Sequence, residues 1–376
     1  MTTPLTQTQA DKSLRTSSGS IGTKRTTTVT FHGRDPDTVA PAALCVKSPT
    51  KCQARTRLYR GNALAAEGFP PSDISDFLAD DESAFVWLDL RNPDSDDLAV
   101  LGEEFGLHPV AIEDAIVPHE RPRLDRYPTY LFLIAYGVRF DDGTGQLQLS
   151  ELAAFITKRA LITIHKDDGL DIGAVVDRWD ASPDLAAAGV GFLLHGLLDY
   201  IVDGHFDAVQ SLDDQVEALE DQLFSDIPQD LAVQRRSFEL RKSLVLLRRF
   251  TLPMREVVNA LLRRDLHVVS DEMMPYYQDV YDHVLRAAEW TDSLRDLVTS
   301  ILETNLTIQG NRLNIISKKV TGWAAIIAVP TFITGFYGMN VPYPFFGREP
   351  GFVISIVVMI LAMLLLYRAF RKRDWL

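Results

Sequence analysis

Two uncharged apolar segments near the C-terminus constrain the fold of this chain more than any other feature. They cover residues 320–336 and 352–367, and neither contains an Asp, Glu, Lys or Arg. At a rise of about 1.5 Å per residue, each is close to the length that a helix needs to cross a bilayer core of about 30 Å. Two buried core helices are the alternative, but such closely spaced segments are rare in soluble proteins. We therefore predict transmembrane helices at 320–337 and 352–367, surrounded by a lipid bilayer.

The charges that flank this pair predict its orientation. Lys318 and Lys319 precede the first segment, and the basic tail at 368–376 follows the second. The connecting loop at 338–351 carries only one Arg and one Glu. Because positively charged flanks stay on the cytoplasmic side, both termini are predicted to be cytoplasmic and the loop is predicted to face outwards.

The composition limits the classes of partner. The chain has 51 acidic and 38 basic residues, a formal net charge of −13, which argues against general nucleic-acid binding because that requires a basic surface. Cys45 and Cys52 form no CxxC or Cys/His pattern, so no zinc site is predicted. Residues 1–50, rich in Thr and Ser, are predicted to be a disordered tail, with a transit peptide as the alternative.

Apolar patterns after the tail predict a cytosolic α/β domain at 51–183. Short stretches that alternate or run apolar between turn residues indicate strands, and a capped helix is predicted at 94–106. No dinucleotide-binding, P-loop or nucleophile-elbow motif occurs, and the isolated His165 and His205 are predicted to be structural. The predicted strands are 84–90, 130–140, 147–157 and 160–165.

A cytosolic helical region is predicted at 184–319. Two helices cover 185–224 and 231–265, separated by a turn around Pro228. The third begins near residue 271, and its apolar residues recur at steps of three, four and seven. It continues without a break into the first apolar segment, which predicts a stalk helix (about 271–319) with a total length of roughly 90 Å including its membrane part.

A stripe of small or polar residues runs along one side of the first transmembrane helix and its approach. Two interpretations remain open on the pattern alone. Small faces allow helices to pack closely in membranes, and hydroxyls and amides can line a water-filled pore. A pore would require an oligomer, since one or two helices cannot enclose it. The stripe comprises Asn314, Ser317, Thr321, Ala324, Ala328, Thr331, Gly335 and Gly338.

The sequence YGMN at 337–340 follows the first of two C-terminal spans, and a short loop, a second span and the basic tail RKRDWL come after it. With this motif in this context, and with the segments at 105–134 and 276–283, the chain resembles the CorA family of divalent-cation transporters. The resemblance covers roughly residues 55–376.

This resemblance implies a funnel-shaped homopentamer in a bacterial plasma membrane, with the stripe lining a central pore for Mg²⁺. Tyr337, Gly338, Met339 and Asn340 would form the ion entry, with five Asn340 amides in a ring; a simple helix cap is the alternative for Asn340. Neutral amides can hold a hydrated ion without trapping it. Val320 or Leu313 is the nearest bulky candidate for a gate.

The resemblance also implies regulation by cytosolic Mg²⁺ bound between subunits. The acidic residues that match the family pattern are Glu113, Asp114, Asp279 and, less closely, Asp199. Carboxylates from two subunits repel one another unless a divalent ion bridges them, so loss of the ion would open the funnel. The alternative is that these acids only solvate helix surfaces.

The loop after YGMN departs from the family pattern. It reads VPYPFFGREP and lacks the acidic stretch found in many members, so the preferred ion is open. Transport of Zn²⁺, Co²⁺ or Ni²⁺ is the first alternative. The second is a cytosolic scaffold or enzyme that the two helices only tether. A tether has no need of the stripe, and the resemblance implies a transporter without enzymatic activity.

Overall fold

The structure is a computed structural model, and it describes residues 52–61, 63–141, 143–224, 230–263, 266, 268–339 and 348–375. The predicted tail at 1–50, the turn around Pro228, Asn340 and residues 341–347 of the predicted loop lie outside the described residues.

A seven-stranded mixed sheet forms the centre of the N-terminal domain. Its strand order is β2-β1-β3-β7-β6-β5-β4, with β3 and β7 parallel and all other neighbours antiparallel. The four predicted strands correspond to β3, β5, β6 and β7, whereas β1, β2 and β4 have no counterpart among the predictions. The strands are β1 Gln53–Arg60, β2 Ala63–Glu67, β3 Phe85–Arg91, β4 Arg123–Arg126, β5 Leu131–Asp141, β6 Gln146–Ile156 and β7 Ala160–His165.

Eight α-helices occur in the described part of the chain. They are α1 Ile74–Asp80, α2 Ser95–Phe105, α3 Pro109–Ile116, α4 Ile172–Ala181, α5 Val190–Leu223, α6 Asp230–Leu261, α7 Met274–Tyr337 and α8 Glu349–Lys372.

The sheet is covered on both faces, because alternate residues of a strand point to opposite sides. Val86 and Leu88 of β3 belong to one core cluster, which includes Leu98 of α2 and Ala111 of α3. Trp87 lies in the other cluster, with residues of α4, α5 and the start of α7. Burial on both faces explains why β3 reads as an almost continuous apolar run.

Three long helices extend from this domain and pack on one another. Val209 of α5, Leu244 of α6 and Leu294 of α7 share a core cluster, and Arg248 on α6 pairs with Asp292 on α7 over 2.6 Å. The 64 residues of α7 correspond to roughly 96 Å at the standard helical rise. The predicted continuous stalk and first span are therefore one helix.

Several helix boundaries differ from the predictions. The second span, predicted at 352–367, lies in α8, which begins at Glu349 and ends at Lys372 and so includes the end of the predicted loop and part of the predicted basic tail. The helix predicted at 185–224 begins only at Val190, because Pro183–Ala188 form a separate 3₁₀ helix. Gly189 then adopts a φ of 66°, which an α-helix cannot continue through. The helix predicted at 231–265 ends at Leu261.

The two histidines predicted to be structural are both buried. His165 contacts Asp89 Oδ2 at 3.2 Å through Nε2 and the Asp167 carbonyl oxygen at 2.8 Å through Nδ1. His205 donates from Nε2 to the carbonyl oxygen of Tyr136 over 2.7 Å. Each joins a strand to a neighbouring segment.

The C-terminal part of α7 and the whole of α8 are long and apolar enough to cross a membrane. Only Gly351 and Ser355 of α8 are buried, and Gly322 and Ile326 are the buried residues in the apolar part of α7. These helices are therefore not core helices of the described chain, which contradicts the alternative of a soluble protein with two buried helices.

Candidate functional site

The membrane part of α7 has two different faces. The face that packs against α8 contains the buried Gly322 and Ile326 and the half-buried Ile333. At 3.6 residues per turn, the stripe lies on roughly the opposite side of the helix. Seven stripe residues, Asn314, Ser317, Thr321, Ala324, Ala328, Thr331 and Gly335, are all exposed in the single chain.

The small size of the stripe residues is not required by packing within the chain. A Cβ added to Gly335 would have no heavy atom within 4 Å, and the same holds for Gly310. Gly310 precedes Asn314 by four residues and extends the stripe by one turn, which its i, i+4 spacing could have revealed. Leu313 and Val320, the two candidates for a gate, lie at the edge of this face and are exposed.

Hydroxyl groups supply polar atoms on and beside the stripe. Thr331 Oγ1 donates to the carbonyl oxygen of Ile327 over 3.2 Å, and Thr334 Oγ1 donates to that of Pro330 over 2.8 Å. A hydroxyl that donates to its own helix keeps its lone pairs as acceptors. These oxygens can therefore accept hydrogen bonds from the water shell of a cation, and they need no other protein partner.

Three of the four predicted entry residues are described, and they end α7. The Gly338 amide donates to the carbonyl oxygen of Thr334 over 2.9 Å, and the Met339 amide to that of Phe336 over 3.3 Å. Tyr337 is half-buried on the side towards α8, whereas Gly338 and Met339 are exposed. Asn340, the predicted amide ligand, lies outside the described residues.

Two of the predicted regulatory acids lie on the short helix α3. It begins at Pro109, and His108 Nδ1 caps it by accepting from the Val110 amide over 3.2 Å. Glu113 is exposed, and the half-buried Asp114 pairs with Arg123. The exposed Val110 lies one turn before these acids and the exposed C-cap Val117 follows them by three or four residues, which gives α3 an apolar rim around its charges.

The other two predicted acids meet at a junction of α4, α5 and α7. Ligand atoms of Asp199, Asp203 and His283 all lie within 4.8 Å of one another, and Asp279 Oδ2 is 4.0 Å from His283 Nε2. We call Asp199, Asp203, Asp279 and His283 the junction cluster. Asp203 and His283 are absent from the predicted set, although each follows a predicted acid by four residues and so shares its helix face.

An arginine lies against the junction cluster. Arg178 on α4 pairs through Nη1 with Asp199 and through Nη2 with Asp203, the latter over 2.7 Å. Burial lowers the pKa of Arg178, but its interactions with Asp203 and Asp199 outweigh burial and raise that pKa. Two of the three acids in the cluster therefore already have a cationic partner.

His195 on α5 lies beside the same charges. Burial lowers its pKa and Arg178 adds to that effect, while Asp199 and Asp279 act in the opposite direction; the net shift is downward. A lowered pKa keeps the imidazole neutral at physiological pH. The junction cluster thus contains carboxylates, which suit Mg²⁺, and the imidazole of His283, which suits transition metals, with the neutral His195 beside it.

Comparison with models of known protein families identifies the family of the chain that carries the stripe and the junction cluster. The model described as CorA-like Mg²⁺ transporter protein matches residues 82–372. The chain belongs to the CorA family. Members of this family are divalent-cation transporters and not enzymes, so the predicted family and the predicted absence of enzymatic activity are confirmed.

Curated CorA-family proteins are similar along most of the chain. The cobalt/magnesium transport protein CorA of Thermotoga maritima is 29% identical over 312 residues, which cover 82% of this chain and 88% of that protein. The putative metal ion transporter YfjQ of Bacillus subtilis is 31% identical over 259 residues, 68% of this chain and 79% of that protein. A zinc transport protein, ZntB of Yersinia enterocolitica, is 22% identical and covers 75% of this chain and 86% of its own length.

A solved CorA structure has the same architecture. The complete structure of the CorA magnesium transporter from Methanocaldococcus jannaschii superposes with a TM-score of 0.70 at 25% identity, covering 86% of this chain and 98% of that one. The predicted fold class, an α/β domain with a long helix and two C-terminal apolar helices, is therefore confirmed for the chain. This CorA protein is accordingly a membrane protein.

Proposed function

We propose that this CorA protein forms a homopentamer that conducts Mg²⁺ into the cytosol across a bacterial plasma membrane, with both termini cytoplasmic. One observation carries the proposal: the small stripe of α7 lies opposite the face that packs on α8. Five α7 helices can therefore surround an axis with their stripes inwards and their α8 helices outside. The membrane potential drives cations inwards through such a path.

Permeation in this proposal uses neutral oxygen atoms. Mg²⁺ gives up its water shell reluctantly, so a ring of amides or hydroxyls binds the hydrated ion through water. Asn340 supplies such a ring at the outer mouth, and Thr331 and Thr321 supply further oxygens along the path. None of the seven stripe residues that line the path carries a charge, so the ion is held weakly enough to move on.

Regulation in this proposal depends on contacts between subunits. Glu113 and Asp114 of one subunit approach Asp279 and Asp199 of its neighbour, and Mg²⁺ bridges the two sets. The exposure of Glu113 and Asp279 supports this arrangement, as does the apolar rim of Val110 and Val117, which is suited to a protein contact. Loss of the ion leaves unbalanced negative charge between subunits, and the stalk helices separate.

Uptake into proteoliposomes tests the proposed activity. Mg²⁺, Co²⁺, Ni²⁺ and Zn²⁺ are supplied separately to the parent protein and to Gly335→Phe, which places a large ring on the stripe. We expect the variant to lose uptake of every ion the parent carries. Val357→Phe places the same ring on an exposed position of α8 and is expected to transport normally. Uptake by Gly335→Phe equal to that by Val357→Phe would show that the stripe does not line the ion path, and no uptake by the parent would show that the two helices only tether the protein.

Transport of a transition metal is the second candidate function. His283 in the junction cluster offers a nitrogen ligand. Zn²⁺, Co²⁺ and Ni²⁺ bind such a ligand more readily than Mg²⁺ does. The similarity to ZntB points in the same direction. Preferential uptake of one of these ions in the four-ion comparison would establish this function in place of Mg²⁺ import.

A further inference from the structure

Arg178 is held in place by its own helix and by α5. Trp179, the next residue, is buried, and its Nε1 donates to the carbonyl oxygen of Leu193 on α5 over 3.1 Å. The guanidinium of Arg178 also lies over the ring of Tyr200, 5.5 Å from its centroid. These contacts fix α4 against α5, so the guanidinium is positioned at the junction cluster and is not a freely moving surface group.

The two carboxylates that Arg178 bridges would repel each other without it. Asp199 and Asp203 are one helical turn apart on α5, and like charges at this spacing destabilise a helix. A planar guanidinium can donate to two carboxylates at once, which a single ammonium group does less well. Arg178 therefore does within one chain what a bridging divalent ion would do for the same pair.

We propose that Arg178 is a built-in competitor of the regulatory cation for Asp199, and that it sets the cation concentration at which this cation binds. This inference rests on the regulatory part of the proposed function. For a divalent ion to bind Asp199, the guanidinium must release that carboxylate, and its positive charge also repels the incoming ion. Both effects weaken cation binding.

A cavity beside Arg178 can accommodate the guanidinium after an ion has displaced it. Arg178, Tyr200 and Asp203 line a cavity of about 530 Å³, which also borders Asp207 and Asp171. Of the junction cluster, Asp203 lines this cavity, so the displaced guanidinium can remain there beside Asp203 while the ion takes Asp199. Exchange between guanidinium and ion therefore does not require α4 to detach from α5.

The test measures cation binding directly, on the full-length protein in lipid nanodiscs. The midpoint of thermal unfolding is followed as Mg²⁺ is added, since a ligand that binds the folded state raises it. For Arg178→Gln we expect half-maximal protection at about threefold to tenfold lower Mg²⁺ than for the parent, the equivalent of one or two ion pairs no longer competing. Arg178→Lys keeps the charge but not the fork, and we expect a smaller decrease in the same direction.

Two further variants make the result specific. Arg255→Gln removes an arginine of equal exposure, 34%, that pairs with Glu256 outside the cluster. The Mg²⁺ concentration that gives half-maximal protection of this variant should equal that of the parent. Asp199→Asn added to Arg178→Gln should cancel the gain, because the gain requires the freed carboxylate.

An unchanged or higher Mg²⁺ midpoint in Arg178→Gln overturns the competition. If that variant does not assemble, an unchanged midpoint in Arg178→Lys overturns it equally. The regulatory site itself has a separate test in the same experiment. If the parent shows no saturable protection by Mg²⁺, or if Asp199→Asn alone leaves that protection unaltered, then the regulatory site and the competitor role of Arg178 are both wrong. The proposed pore is tested separately by Gly335→Phe.

Discussion

His205 on α5 donates its Nε2 proton to the carbonyl oxygen of Tyr136 on β5 over 2.7 Å, and this bond joins the long helices to the sheet. The side chain is fully buried, and its Nδ1 atom has no hydrogen-bond partner among the residues that the structure describes. Burial lowers the pKa of His205 from 6.5 to about 4, and the bond to Tyr136 offsets only part of that effect. The ring is therefore neutral in the folded protein.

This lowered pKa predicts a loss of stability in mild acid. Between pH 6.5 and 4 the unfolded chain takes up a proton at His205 that the folded chain does not, so stability falls as the pH decreases. At pH 5 the loss from this group is about 2 kcal/mol. His205→Gln keeps a donor for Tyr136 but cannot be protonated, and it should lose less stability between pH 7 and 5 than the parent.

The measurement is thermal unfolding of both proteins across this pH range, and the difference between them isolates His205. The comparison is needed because His165 acts in the opposite sense. Burial lowers the pKa of His165, but Asp89 and the Asp167 carbonyl raise it by more, so the net shift is upward. The contribution of His165 to stability is therefore present at low pH and lost as the pH rises through its folded-state pKa. Identical pH profiles for parent and variant would contradict the neutral assignment of His205.

Replacement of Asn340 tests the proposed entry ring. Asn340→Ala removes the amide oxygens that would bind the water shell of the ion, so Mg²⁺ uptake into proteoliposomes should be lost. Asn340→Asp should also transport poorly, because five carboxylates would hold the ion too tightly to release it. Asn311→Ala, which removes an exposed amide from another side of α7, is the control. Parent-like uptake by Asn340→Ala would leave Asn340 as a helix cap.

The proposed regulatory role of Asp279 predicts a loss of closure. Asp279→Asn removes the carboxylate that would bridge to the neighbouring subunit, so closing the channel should require roughly tenfold more Mg²⁺, about 1.4 kcal/mol for one ligand. Uptake is measured into proteoliposomes preloaded with increasing Mg²⁺. Asp282→Asn, which removes an exposed acid from the same helix, should behave like the parent. If both variants close at the parent's Mg²⁺ concentration, then Asp279 serves only to solvate its helix.

Much of this architecture could be predicted from local sequence pattern. The elements that could not be predicted differ from the others for a physical reason. The apolar spans, the continuous α7 and the strands β3, β5, β6 and β7 were predictable because hydrophobic periodicity reports them directly. Strands β1 and β4 were not, because charged residues such as Arg55 and Arg57 in β1 and Asp125 in β4 interrupt their apolar pattern. The pairing of Arg178 with Asp199 and Asp203 depends on how α4 docks on α5, which no local pattern contains.

The junction cluster could be predicted only in part from the sequence. Asp203 and His283 share helix faces with Asp199 and Asp279, so the i, i+4 rule could have added them to the predicted set. That the two helices bring these faces together is a tertiary result, which only the fold supplies.

His283 gives the last prediction, which concerns the choice of ion at the junction cluster. Imidazole is a good ligand for Co²⁺ and Zn²⁺ and a poor one for Mg²⁺, which prefers oxygen. His283→Ala should therefore weaken Co²⁺ binding by at least roughly tenfold, since loss even of a group that supports a ligand costs about that much, while Mg²⁺ binding stays near the parent value. Calorimetric titration of the nanodisc-embedded protein with each ion measures both affinities, and His195→Ala serves as a comparison from the same junction. Equal weakening of Mg²⁺ and Co²⁺ in His283→Ala would mean that His283 shapes the cluster and does not bind the ion.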